Sequence, residues 1–158
     1  MYIMGMKRFV ALFLACAIAM GALSLTATAE TGHYEDNALQ MEDMKREMID
    51  VSKVEVLEES SIRATGSLNS DIPANTLAVS DIKFSLEVGE TVTINCSYSP
   101  ASANMDFGVI APDGYFYSLN VKGGSINQSI RVSQSGSYAV AVRNNSSHTV
   151  TVVGFITY

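Results

Sequence analysis

Met105-Asp106-Phe107-Gly108-Val109-Ile110-Ala111, Pro112-Asp113-Gly114, Tyr115-Phe116-Tyr117-Ser118-Leu119-Asn120-Val121: two alternating runs joined by three turn residues decide the fold class. Pro112 presets φ and Gly114 supplies a positive φ, so the three residues reverse the chain. Successive side chains of a strand point to opposite faces, which puts Met105, Phe107 and Val109 on one side, then Tyr115, Tyr117, Leu119 and Val121.

The same period continues on both sides. Upstream, Ile82, Phe84, Leu86 and Val88 alternate with Lys83, Ser85 and Glu87, and Val92, Ile94, Cys96 and Tyr98 follow after a turn at Gly89. Downstream, Gly123-Gly124 leads into Ile126 to Val132. Ser135-Gly136 precedes Tyr138, Val140 and Val142, and Asn144 to Ser147 precedes a last run, Thr149 to Tyr158, in which Gly154 is a candidate bulge. Seven strands result, or eight if Thr76 to Val79 pairs, each bounded by turn chemistry. No intervening stretch is long enough for a crossover helix, so the expectation is an all-β, antiparallel β-sandwich, jelly-roll-like, over residues 76–158.

The runs Phe84 to Ile94, Asp106-Phe107-Gly108-Val109 with Pro112-Asp113-Gly114, and Ser135 to Val142 resemble the bacterial pre-peptidase C-terminal domain pattern. That resemblance implies a jelly-roll-like sandwich of the kind appended to exported enzymes, some relatives of which bind calcium or polymeric substrate. Residues 82–158 are also similar to small stand-alone secreted proteins of Gram-positive bacteria. No functional residue is carried over from either.

The first 29 residues read as a secretory signal peptide: Lys7 and Arg8, an apolar run from Phe9 to Leu23, then Ala27 and Ala29 at the −3 and −1 positions of a cleavage site. Leu14-Ala15-Cys16 offers a lipidation alternative, although Phe13 is atypical there and the apolar run continues past Cys16; an uncleaved anchor is the third reading. Cleavage after Ala29 gives a secreted protein of about 129 residues with no stable membrane insertion.

Charge divides what remains. Residues 30–59 carry ten acids against three bases, whereas residues 60–158 carry six against five. An acidic segment and linker, 30–75, therefore precedes the sandwich. Met41, Met44, Met48 and Val51 have helical spacing behind Asp36, which predicts a short helix that is either a partner-binding stripe or part of a solvated tail. Gly66 to Asn75 reads as connection or as an irregular first strand. Neither half has a basic patch, which argues against nucleic acid as a partner.

Chemistry is sparse. After signal removal Cys96 is the sole cysteine, so no intramolecular disulfide forms; its place on the apolar side of Val92 to Tyr98 predicts a buried thiol. His33 and His148 form no zinc-spaced cluster, and there is no nucleophile elbow or phosphate loop. Asp71, Asp106 and Asp113 could hold calcium only if loops converged; as turn formers they need no ion. No cofactor or metal is expected. Strict alternation expels Phe116 from the core beside Ser118 and Asn120, an aromatic flanked by hydroxyl and amide groups that suits a sugar ring or a peptide. The expectation is a secreted, non-catalytic binding module whose partner is an extracellular glycan or protein. A small extracellular enzyme or enzyme inhibitor is the alternative.

Overall fold

A computed structural model describes residues 37–50, 54–57 and 65–158. Residues 1–29, read above as an export signal, lie outside the described residues, as do His33 and Val51. Two mixed sheets face each other. One has the order β1 (Leu39–Gln40), β9 (Ser125–Arg131), β6 (Thr91–Ser99), β11 (Val150–Thr157), β4 (Thr65–Ile72). The other runs β2 (Lys45–Met48), β8 (Tyr115–Val121), β7 (Met105–Ile110), β10 (Gly136–Asn144), β5 (Leu77–Leu86), β3 (Val54–Leu57). Renumbering β4 to β11 as one to eight gives the orders 1-8-3-6 and 2-7-4-5, which is jelly-roll connectivity.

The hairpin at its centre forms as its residues dictate. The Gly114 amide donates to the Ala111 carbonyl at 2.9 Å with Gly114 at φ 81°, and Asp113 Oδ1 accepts the Tyr115 amide at 3.1 Å. Inward positions of all eight strands fill the space between the sheets, with Ile72, Ile94, Phe107, Ile130, Tyr138 and Ile156 among the fully buried side chains. Each such side chain contributes about 1.5–3 kcal/mol by leaving water. The segments 76–79 and 82–86 join into one strand, β5, whose register against β10 shifts between Ala139 and Ala141. Ser80 Oγ accepts the Ile82 amide at 3.1 Å within that irregularity. Gly154 marks no bulge: β11 pairs without a break from Val150 to Thr157. A side chain on Gly154 would instead run into the Asn95 carbonyl and Cys96 on the adjacent strand.

The segment before residue 76 differs from expectation. Sheet pairing begins far upstream of that boundary, because β4 is a full strand along β11 and β1, β2 and β3 each take a sheet edge. The described residues form one compact unit. Where the methionine spacing predicts a helix, the chain makes one 3-10 turn, Met41–Asp43, and then extends into β2. The turn drops Met41 and Met44 into the core, while Met48 is 70% exposed. Eclipsed i and i+3 side chains suit this role, and the β8 edge supplies backbone partners that a short helix in water lacks. The β1–β9 and β3–β5 pairs are parallel, unlike the antiparallel arrangement expected. Strand β3 precedes β4, which lies in the opposite sheet, before the chain returns as β5, and β1 pairs with a strand far downstream, so neither parallel pair needs a crossover helix.

Candidate functional site

Phe116, Ser118 and Asn120 do share the outer face of β8, as alternation requires, and Tyr117 on the other side packs into the main core. Of the three, Asn120 alone has the expected exposure. Phe116 is fully buried, in a second apolar cluster with Leu77 and Ala141, against which Ile49, Val54, Val79 and Ile110 pack. Ser118 is buried too, and the Asn120 amide donates to Asn104 Oδ1 and Asp106 Oδ1, each at 2.7 Å. The outward positions of neighbouring strands carried the missed signal: Ile110, Ala139, Ala141 and Val79 are apolar, which marks a covered face.

The three aspartates stay apart, each with its own protein partner. Asp71 accepts from Thr151 Oγ1 at 2.6 Å, and Asp106 from Asn120. Asp113 accepts from Tyr117 Oη at 2.8 Å and from Gln134 Nε2 at 3.2 Å, and pairs with Arg46 at 3.6 Å. Partial burial pushes the Asp113 carboxyl up, but those donors and the Tyr115 amide outweigh it and hold it below its ordinary value. Among the described residues no group of three or more His, Cys, Asp or Glu is placed to hold a metal ion. His148 is exposed, and its carbonyl accepts the Asn144 amide at 2.7 Å.

Cys96 is the buried thiol its alternation predicts, 2% exposed and unpaired. Desolvation raises its pKa to about 11 against a lowering by the Phe155 backbone, so almost none of it is thiolate at neutral pH.

Directly across β11 from that thiol lies the feature that sequence reasoning missed. Val153 and Phe155 point outward from β11 and are 44% and 61% exposed. Register places Ser67 of β4 and Asn95 of β6 on either side of Phe155, and Asn127 of β9 beyond Asn95. A second row runs Asn69, Val153, Ser97, Ser125. Ser67, Asn95, Ser97, Val153 and Phe155 line a shallow depression of about 370 Å³. This outer face presents hydroxyls, amides and one ring, which are groups for hydrogen bonding and stacking rather than for proton transfer. The parity of β11 held the clue, since Thr151, Val153, Phe155 and Thr157 alternate with Val150, Val152, Gly154 and Ile156. Adjacent apolar pairs, Val152-Val153 and Phe155-Ile156, hide it.

A larger open depression, about 650 Å³, lies between the β5–β6 turn and Tyr158. Its charged groups serve the fold: Arg131 Nη1 donates to the Gly89 carbonyl at 2.6 Å, and Glu90 Oε2 accepts the Glu87 amide at 2.7 Å.

No protein-family model matches the chain, and no curated protein matches it. The solved structures similar to it include two lysozyme inhibitors, each at 15% identity, covering 66% of this chain and 95% of theirs. They are Aeromonas hydrophila PliG, a periplasmic inhibitor of g-type lysozyme, at TM-score 0.43, and a mutant of its Escherichia coli counterpart at 0.36. No helix among the described residues is long and apolar enough to cross a membrane.

Proposed function

We propose that this protein is an exported, non-catalytic binding module that holds an extracellular macromolecule against the outer face of its five-stranded sheet. One observation carries the reading: Phe155 stands 61% exposed on the outer face of β11 with Ser67 and Asn95 as its cross-strand neighbours, while Phe116, on the outer face of the opposite sheet, is fully covered. An aromatic ring left in water on rigid strands loses burial energy that the core would otherwise have gained. Contact with a partner recovers it. Export rests on the Lys7-Arg8 flank, the apolar run and the Ala27 and Ala29 pair.

Retention of the full chain on insoluble bacterial cell-wall material, with inhibition of a g-type lysozyme measured in parallel, tests the proposal. Wild type and a control variant at an exposed site elsewhere, Val56→Ser, should be retained alike, and Phe155→Ala should wash off. Equal retention of Phe155→Ala would remove the site. Lysozyme inhibition that survives Phe155→Ala would replace the binding module with an enzyme inhibitor working through another surface.

A further inference from the structure

We infer that the ligand of this face is an uncharged polysaccharide lying across the strands, an inference that rests on the binding reading above. Ser67, Phe155, Asn95 and Asn127 stand in register on four neighbouring strands. Adjacent strands are about 4.8 Å apart. Pyranose rings of an extended chain repeat at close to that spacing, so a chain perpendicular to the strands meets one side chain per ring. One ring face stacks on Phe155, and its neighbours lie over the Ser67 hydroxyl and the Asn95 amide.

Partner saturation supports the assignment. Ser67, Asn95, Asn127 and Ser97 have no side-chain hydrogen bond to other described residues, whereas Thr93 and Ser129 of the same face bond to each other at 2.8 Å. Each free amide or hydroxyl both donates and accepts, as do the hydroxyls of a sugar. The rows through Phe155 and Val153 carry no charge. Asp71 at one corner is held by Thr151, and Arg131 at the far edge donates to the Gly89 carbonyl. A charged polymer would lose water here without gaining a counter-charge. A protein partner meets the wrong composition as well, because the middle of a stable protein interface is mostly apolar and this face offers two apolar side chains, Val153 and Phe155.

Electrophoresis of the full chain through native gels containing hydroxyethylcellulose, glycol chitin or dextran tests the ligand class, with carboxymethylcellulose as the charged counterpart of the first. At least one uncharged polymer should retard the wild type, in a manner insensitive to added salt, and carboxymethylcellulose should retard it less than hydroxyethylcellulose does. Phe155→Ala should weaken that retardation at least tenfold, and Phe155→Tyr should restore it. Retardation by none of the three, or stronger retardation by the charged polymer, overturns the inference. If Phe155-dependent retention on wall material persists in that case, the site stands and its ligand is of another class; if Phe155→Ala changes nothing in either assay, both fall.

Discussion

Two phenylalanines on the outer faces of the two sheets have opposite environments. Phe116 follows Tyr115 in a run that alternates cleanly, and Phe155 sits among adjacent apolar residues that do not, yet Phe116 is buried and Phe155 is not. Replacing Phe116 with Ala should cost about 3–5 kcal/mol, the loss typical of an emptied core aromatic site. Phe155→Ala should stay within about 0.5 kcal/mol, as for an exposed position without special contacts. Urea unfolding of both variants checks the pair; a reversed order would mean that the two outer faces are assigned the wrong way round. Alternation told which residues share a side of a strand, and it did so correctly for Phe116. It could not tell whether that side is covered, because the covering residues Ile49 and Val54 lie more than 60 positions away in the sequence.

Among the elements, β2 shows what the acidic segment is for. Arg143 Nη1 meets Glu47 Oε2 at 2.7 Å, Lys45 lies 3.3 Å from Glu47, and Arg46 pairs with Asp113 while its guanidinium sits 3.7 Å from the Tyr115 ring centroid. The contacts to Arg143 of β10, Asp113 and Tyr115 add to the backbone pairing that holds β2 on the β8 edge, which leaves that edge unavailable to other chains. The Arg143 hydrogen bond holds the Glu47 carboxyl below its ordinary value against the effect of burial, and Asp113 is lowered as described above. A carboxyl whose folded pKa is depressed contributes stability above its unfolded value, about 4, and loses it as pH falls through the folded value. Hydrogen exchange of the β2 amides should therefore accelerate, relative to those of β10, as pH drops below about 4. Protection that falls equally in both strands would show that ion pairs do not hold β2. Charge composition revealed that this segment is distinct. It could not show that β2 pairs with a strand about 70 residues downstream, since edge pairing through backbone groups has little side-chain signature.

At the scale of the whole molecule, the strands between Leu77 and Thr157 were legible because their turns are built from Pro, Gly and Asn at alternation boundaries, although of these strands just β7 and β8 pair as a hairpin and the other turns cross between the sheets. The strands that close the sheets were not, because β1, β2 and β3 are short and β4, Thr65–Ile72, is mostly polar. The finished sandwich has two unlike outer surfaces. That of the six-stranded sheet carries the apolar cluster around Phe116, and that of the five-stranded sheet is a lattice of Ser, Thr and Asn around Phe155. The binding account assigns function to the second surface alone. Hydroxyl-radical footprinting of the full chain, free and on cell-wall material, tests it most directly, because Phe155 and Met48 are both reactive side chains and both well exposed, at 61% and 70%. The account predicts that binding protects Phe155 and leaves Met48 as reactive as in the free protein. Protection of Met48 with Phe155 unchanged would contradict it and would move the binding surface to the β2 edge.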